Sequence, residues 1–145
     1  MNVRMFGRGC LYLVAMGFVT TGLLYMFYGS PMPYHLDGMQ AEWGDIPLQQ
    51  QVVIMAILRG SASGLLASGV AIAMLTFFAL DTAAAGWARW CILLVGMIET
   101  LPTIHSVQQV QTHTPGDPPM AVLVLCAALV PAGLLASAGA SPPRR

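Results

Sequence analysis

Charged residues are scarce in this chain of 145 residues. Asp, Glu, Lys and Arg together make up 8% of it, whereas soluble domains carry about 25%. So few charged side chains cannot cover the surface of a soluble globule, and the composition therefore argues against a soluble fold. The formal net charge is zero and the basic residues form no cluster, which argues against a nucleic-acid partner because such surfaces need grouped Lys and Arg.

Sequence motifs that carry chemistry are also missing. The three cysteines, Cys10, Cys91 and Cys126, lie inside apolar runs without CxxC spacing, so we interpret them as small buried side chains rather than zinc ligands. The chain has no G-x-S-x-G, no H-E-x-x-H and no phosphate-binding glycine loop, the patterns that would assign a nucleophile, a catalytic zinc or a nucleotide. We therefore predict no catalytic residue, no enzyme activity and no cofactor.

Apolar residues dominate what is present. They account for 57% of the chain, give it a mean hydropathy of +0.70, and fall in four runs. At about 1.5 Å per residue, a helix of roughly 20 residues crosses the hydrocarbon core of about 30 Å. We predict one all-α integral membrane domain over residues 1–145, a four-helix transmembrane bundle with helices at about 9–28, 46–80, 87–110 and 119–138.

Polar and proline-rich segments separate the four runs. The longest, residues 29–51, holds prolines and three acidic residues and cannot cross hydrocarbon. We predict that it is a loop carrying a short amphipathic helix on the membrane surface, acting either as a lid or as a contact surface for a partner. Residues 81–86 form a short turn, and the three prolines of residues 113–119 end the third helix.

Aromatic and charged residues indicate how the bundle sits in the bilayer. Four aromatic residues near the ends of the runs are expected to anchor it at the interfaces: Tyr28, Trp43, Trp87 and Trp90. Cytoplasmic flanks of membrane helices are enriched in Arg, and five arginines fall on one predicted side: Arg4, Arg8, Arg89, Arg144 and Arg145. The opposite loops hold Asp37, Glu42, Asp45 and Asp117 without Lys or Arg. We predict that both termini are cytoplasmic.

Two charged residues lie within the apolar runs and need an explanation. Counted inward from the outer ends of the second and third helices, Arg59 and Glu99 fall at similar depths in the membrane. A charged side chain at the bilayer centre costs at least about 2.5 kcal/mol on insertion scales. A direct ion pair would neutralise both, since the planar guanidinium suits a carboxylate. The pair would form a functional polar centre or merely lock two helices together; alternatively, Arg59 reaches the headgroups on its long side chain.

A polar stripe follows Glu99 along the third helix. At about 100° per residue, Thr103, Ser106 and His113 lie on the same side of the helix as Glu99. Pro102 cannot donate a backbone hydrogen bond, so we expect the helix to bend or open there. Broken helices with polar residues near the midplane are typical of ion and substrate paths in transporters. The stripe is equally what a helix needs when its end packs against a polar loop.

Histidines are the only other candidate ligands. His35, His105 and His113 lie on one predicted side of the membrane, and imidazole together with Met sulfur would suit copper. Histidines in loops are more often surface or hydrogen-bonding residues, and the spacing is not diagnostic. We therefore assign no metal site and keep these residues as candidates for ligand binding.

Small residues recur on one side of the second predicted helix. Gly60, Gly64 and Ser68 are spaced by four residues, on a face well away from Arg59. Such a face permits close approach of another helix. It predicts helix packing within the bundle, or docking onto a second membrane protein or a second copy of this chain.

The loop sequence Met32-Pro33-Tyr34-His35 precedes Glu42-Trp43, and a glutamine-rich segment then enters the second helix. This arrangement resembles small four-helix bacterial inner-membrane proteins of unassigned function. The resemblance implies a multi-pass protein of the bacterial inner membrane and assigns no active residue.

The leading hypothesis for function is a non-enzymatic accessory or small binding subunit with a polar centre inside the membrane. Its partners would be membrane lipid and another membrane protein subunit or a second copy. Two rival hypotheses are a small transporter or proton-coupled carrier that uses Glu99, Thr103 and Ser106, and a membrane oxidoreductase subunit that holds a metal or quinone near His35 and His105.

Overall fold

The computed structural model describes residues 3–83 and 85–138, and within these ranges the regular structure is helical without any strand. Its elements, in chain order, are α1 (Val3–Phe27), α2 (Pro33–Met39), a 3-10 turn (Trp43–Asp45), α3 (Leu48–Phe78), α4 (Ala85–His113) and α5 (Met120–Ala138). The predicted all-α class is therefore confirmed.

Four of these helices are long and apolar enough to cross a membrane: α1, α3, α4 and α5. They coincide with the four predicted crossings, and the chain is thus compatible with a multi-pass integral membrane protein. The longest, α3, has 31 residues and extends about 46 Å, which exceeds a hydrocarbon core of about 30 Å.

Helix α4 remains helical through Pro102 and continues to His113. The expected opening at the proline is therefore wrong. Proline removes a single N–H from the helical ladder, and hydrogen bonds on both sides of it keep the helix continuous. The carbonyl oxygen that loses its N–H partner is that of Ile98, four residues before the proline.

The four long helices form a ring in which each packs against two neighbours. Helix α1 packs against α3 and α5, and α4 packs against α5 and α3. The contact between α1 and α3 is the most extensive of these and the contact between α3 and α4 the least extensive. Short connections join α3 to α4 and α4 to α5 at their adjacent ends, so these successive helices run in opposite directions.

Glycines allow the closest approach between helices. A Cβ built on Gly7 of α1 would lie 2.6 Å from the carbonyl oxygen of Gly133 in α5, and one built on Gly22 would lie 2.9 Å from the carbonyl oxygen of Ala62 in α3. Both atoms belong to backbone, which cannot rotate away as a side chain can. Close packing of α1 against its two neighbours therefore depends on small residues, as is usual for membrane helices.

The buried apolar core occupies one half of the bundle. Its largest fully buried side chains come from all four long helices, namely Leu11, Val14, Ile72, Ile92 and Val130. Beyond this core, Arg4 and Arg8 of α1 form ion pairs with Asp81 in the α3–α4 turn. We call this the arginine end of the bundle, and we call the end that holds α2 and the α4–α5 connection the loop end.

At the loop end, α2 packs against the α4–α5 connection. A Cβ built on Gly116 would lie 2.5 Å from the carbonyl oxygen of Tyr34, and one on Gly38 would lie 3.2 Å from Thr114 Oγ1. The side chain of Gln51 donates to the carbonyl oxygens of Trp43 and Ile46 at 3.0 and 2.7 Å, which ties the 3-10 turn to α3. That the helix α2 is amphipathic and lies on a membrane surface stays a prediction.

The aromatic residues expected at the interfaces lie near the ends of the spans. Tyr28 follows α1 directly, whereas Trp87 and Trp90 lie in the first two turns of α4; all three are exposed. Trp43 is half-buried in the loop. Their role as membrane anchors stays a prediction.

Candidate functional site

Glu99 is the charged residue nearest the centre of the bundle. It is the fifteenth of the 29 residues of α4 and is half-buried. Ser68 Oγ of α3 donates a hydrogen bond to Glu99 Oε1 at 2.7 Å. Gly64, one turn along α3, leaves room for the carboxylate, because a Cβ built there would lie 3.6 Å from Glu99 Oε1. The carboxylate therefore bridges the two helices.

Two neighbouring markers define the height of this contact. Glu99 follows Trp90 by nine residues on α4, and Ser68 follows Arg59 by nine residues on α3. Nine residues of α-helix rise about 13–14 Å. Because α3 and α4 run in opposite directions, the Ser68–Glu99 contact lies about midway between the level of Trp90 and the level of Arg59.

Below this contact, towards the arginine end, α3 and α4 face a closed core. Ala88 and Ile92 lie on the same side of α4 as Glu99, being eleven and seven residues before it, and both are fully buried. Ile72, one turn beyond Ser68 on α3, is fully buried as well.

Above the contact, the same two faces become exposed. On α3, Ile57, Gly60 and Ser61 lie one to two turns before Gly64 and are exposed, and a Cβ on Gly60 would meet nothing within 4 Å. On α4, Thr103 and Ser106 are exposed. The described chain therefore leaves these sides of α3 and α4 uncovered towards the loop end. We call the space between these five residues, with Glu99 and Ser68 at its base, the α3–α4 cleft.

The hydroxyl groups on the walls of the α3–α4 cleft bond to their own helices. Thr103 Oγ1 donates to the carbonyl oxygen of Glu99 at 2.6 Å, and Ser61 Oγ donates to that of Ile57 at 3.1 Å. Ser106 bonds to Pro102 in the same way. Of these hydroxyls and that of Ser68, only the last reaches the carboxylate. Thr103 and Ser106 therefore have their hydroxyls satisfied within α4, and the role of the polar stripe stays a prediction.

The expected ion pair between Arg59 and Glu99 is not formed within the described residues, where the two ion pairs found belong to Asp81. Arg59 is exposed and lies nine residues from Ser68, which at about 100° per residue puts it on the opposite side of α3. It also lies about 13–14 Å nearer the loop end. Direction and height both separate it from Glu99.

Arg59 fits the alternative in which its side chain reaches the headgroups. It precedes Phe78, the last residue of α3, by nineteen residues, a rise of about 28 Å. With Phe78 at the near boundary of a hydrocarbon core of about 30 Å, Arg59 would lie close to the far boundary. That its side chain reaches the headgroups stays a prediction.

The small-residue face of α3 is used only in part. Gly64 and Ser68 lie against Glu99 of α4, so this section packs within the chain, whereas Gly60 borders the open cleft. The link between this face and Glu99 was missed from the sequence. Equal counts outward from the α3–α4 turn pair Glu99 with Gly64 rather than with Arg59, and that register was the available signal.

His35 lies in an aromatic cluster at the loop end. Its ring centroid is 4.2 Å from that of Tyr34 and 5.8 Å from that of Tyr25 on α1, and the two tyrosine hydroxyls are hydrogen-bonded to each other. The Nδ1 atom of His35 is buried without a hydrogen-bond partner. Burial lowers the pKa of His35, an effect that the nearby backbone of Met32 partly opposes, and burial raises the pKa of Tyr34.

The other two histidines lie on α4. His113 Nδ1 is 2.8 Å from Thr112 Oγ1 and 3.0 Å from the carbonyl oxygen of Gln109, and His105 is exposed. Across residues 3–83 and 85–138, no three His, Cys, Asp or Glu side chains are grouped as a metal ion would need. The metal-binding hypothesis therefore finds no geometric support in this part of the chain.

Two shallow cavities open at the loop end, on either side of a shared wall. One has a volume of about 340 Å³ and reaches Tyr28 and Trp43; the other has a volume of about 550 Å³ and reaches Asp45 and Pro115. Leu36, Asp37, Ala41 and Glu42 line both. These cavities are acidic and lie apart from Glu99.

Comparison with protein-family models, with curated proteins and with solved structures finds no match for this chain. The proposed function therefore rests on the geometry of the structure. Its most distinctive feature is a half-buried carboxylate at mid-height, at the base of a cleft between two helices.

Proposed function

We propose that this protein is a non-enzymatic accessory or small binding subunit of a membrane assembly, and that the α3–α4 cleft is where it binds its partner. The observation that carries the proposal is the Ser68–Glu99 contact, 2.7 Å long, at mid-height and at the base of an open cleft. The polar centre of the protein is then Glu99 with Ser68, while Thr103 and Ser106 form part of the wall above it.

The charge on Glu99 would carry a free-energy cost inside a membrane. In a bilayer, its position midway between Trp90 and Arg59 corresponds to the centre of the hydrocarbon core, where an ionised side chain costs about 2.5–3.5 kcal/mol on insertion scales. A serine hydroxyl donates one hydrogen bond and carries no compensating charge. No basic side chain of the described residues pairs with this carboxylate. A group from outside the chain would therefore relieve the cost.

The proposal includes an orientation in a bacterial inner membrane with both termini in the cytoplasm. Arg4 and Arg8 at one end support it, as do the acidic cavities at the other. Single cysteines at Met39, Asp117 and Ala83, which are all exposed, test it in a background without native cysteines. We expect an impermeant reagent to label the first two in intact cells and not the third; labelling of the Ala83 position alone would reverse the orientation.

The binding function is tested by the mass of the protein extracted from its native membrane in mild detergent. We expect the native protein to migrate in a species larger than its own 15.4 kDa chain after correction for detergent, and Glu99→Gln to release it from that species. Glu42→Gln, an exposed acidic residue at the loop end, is the control and should change nothing. A native protein that is monomeric throughout would contradict the proposal.

A second proposal, a proton-coupled carrier, is favoured by one observation: the cleft leads from the loop end to a titratable carboxyl group. A carrier also needs access from the arginine end, which is closed by buried side chains such as Ile72 and Ile92. A flux measurement distinguishes the binding subunit from the carrier. Flux driven by a pH gradient in vesicles, lost in Glu99→Gln while the helical content is unchanged, would favour the carrier.

A further inference from the structure

Resting on the proposed binding function, the geometry points to one class of partner. We propose that the occupant of the α3–α4 cleft is a transmembrane helix that carries an Arg or Lys side chain near its middle and pairs it with Glu99.

The walls of the cleft suit a helix. Gly60, Ser61 and Gly64 are small residues within about one turn of α3, and small residues are what allow helix backbones to approach closely in a membrane. Space beside Gly60 is open, with nothing within 4 Å of a Cβ built there. On the opposite wall, Thr103 and Ser106 have their hydroxyls bonded within α4. They therefore present no unsatisfied donor that a partner would have to match.

The carboxylate of Glu99 at the base of the cleft is suited to pair with a positive charge. A carboxylate accepts several hydrogen bonds through its two oxygens, and Ser68 bonds Oε1 alone. Within the described residues, no donor bonds the second oxygen. An Arg or Lys side chain supplies both the missing donors and the missing charge, and charge-assisted hydrogen bonds of this kind are the stronger ones.

A second copy of this chain is a poorer fit than a different helix. Arg4 and Arg8 are at the arginine end, where they pair with Asp81. Arg59 of a second copy, in a parallel arrangement, would lie about 13–14 Å above the level of Glu99. The basic residue must instead stand about ten residues from either end of a membrane crossing of roughly 20 residues.

The test uses the full-length protein in phosphatidylcholine vesicles and synthetic transmembrane peptides of Leu and Ala as probes. One peptide carries a single Arg at its centre, a second has Leu there, and a third has the Arg moved two turns towards one end. Energy transfer between labelled protein and labelled peptide measures association. We expect the peptide with the central Arg to associate roughly tenfold more tightly than the other two, in line with polar contacts between membrane helices.

Two variants connect the effect to the site. Glu99→Gln should make the three peptides equal, because it removes the charge and keeps the shape. Gly60→Leu should weaken the binding of the peptide with the central Arg without touching the carboxylate, since its side chain fills the open cleft. Helical content measured by circular dichroism shows that each variant is folded.

Equal association of the central-Arg and Leu peptides with the folded native protein would overturn the inference. If extraction from the native membrane still showed an assembly dependent on Glu99, the binding function would stand and the partner would have another chemistry. Association of the protein with itself, abolished by Glu99→Gln and indifferent to all three peptides, would instead overturn the inference in favour of a second copy.

Discussion

The facing sides of α3 and α4 are buried in one half of the bundle and exposed in the other half. Towards the arginine end, the facing sides of α3 and α4 are sealed by residues such as Ile72 and Ile92, which are fully buried. Towards the loop end, the continuation of those sides is exposed at Ile57 and Thr103. The change occurs at the Ser68–Glu99 contact. One half of the bundle therefore closes the contact between α3 and α4, and the other half leaves on these two helices a surface that the chain does not itself use.

This difference explains why a carboxylate is tolerated at mid-height. In the closed half, buried apolar side chains such as Ile72 and Ile92 fill the space between the helices, and burying an unpaired charge among them is costly. At the base of the cleft it has Ser68 as a donor and Gly64 as space. Glu99 therefore lies at the boundary between the closed half of the bundle and the cleft in which a partner is proposed to bind.

The sharpest test of the comparison makes the same substitution in both halves of α3. Ile72 is 0% exposed and Ile57 is 64% exposed. We expect Ile72→Ala to lower the free energy of unfolding by about 2 kcal/mol or more, because it leaves a cavity in a closed core. Ile57→Ala should change it by less than about 0.5 kcal/mol. Reversible unfolding in detergent measures both, and equal losses would refute the division into two halves.

Two glycines on α1 provide the next largest contrast. Gly7→Ala would bring its Cβ within 2.6 Å of the backbone of α5, whereas a Cβ on Gly9 meets nothing within 4 Å. We expect Gly7→Ala to cost about 1–3 kcal/mol of stability because α1 and α5 must separate. Gly9→Ala is the matched control and should lower the midpoint of thermal unfolding by little or nothing. A Gly7→Ala protein as stable as the native one would contradict the close contact.

A smaller effect is expected at the contact where the two halves meet. Ser68→Ala and Glu99→Gln, made singly and together, form a double-mutant cycle. We expect a coupling free energy of about 0.6 kcal/mol, the average for hydrogen bonds between membrane helices. The matched cycle of Glu99→Gln with Ser61→Ala should show no coupling, since Ser61 bonds to its own helix. Additive effects of Ser68 and Glu99 would show that the bond contributes nothing to stability.

The smallest effect concerns the loop end. Because burial lowers the pKa of His35, docked α2 binds fewer protons than released α2. Docking is therefore complete above the ordinary histidine value of about 6.5 and weakens as the pH falls from there to the lower pKa of the docked form. The titratable groups that face His35 are Tyr25 and Tyr34, and tyrosine carries no charge in this pH range.

Hydrogen exchange of the α2 amides measures this effect. We expect faster exchange at pH 5 than at pH 7.5, after correction for the intrinsic rates, and His35→Gln should remove the difference. His113→Gln, an exposed histidine on α4, is the control and should leave it in place. Exchange that is independent of pH in the native protein would show that α2 docks without regard to the charge on His35.

Long apolar runs made the four membrane-length helices predictable, because a bilayer imposes a length and a composition on each helix without reference to its neighbours. The Arg59–Glu99 pair was predicted wrongly because depth was counted from the loop end of each helix. At that end α3, with 31 residues, continues well beyond a membrane thickness. Only the tight turn at the other end gives a common origin for both helices.

The docking of α2 against the α4–α5 connection could not be predicted from the sequence either. It depends on the backbone of Tyr34 approaching Gly116, two residues that lie far apart along the chain. Glycine in a proline-rich segment predicts a turn, and nothing local distinguishes a glycine needed for a turn from one needed for a contact.

The sequence by itself determined that this chain has four membrane-length helices and that Glu99 requires an explanation, since both follow from the transfer of side chains between water and hydrocarbon. The tertiary structure alone decided that Ser68 meets Glu99, that Arg59 does not, and that a cleft opens above them. These outcomes depend on the rotation and height of one helix relative to another, which are set by close packing at a few small residues and not by any property of the helices taken singly.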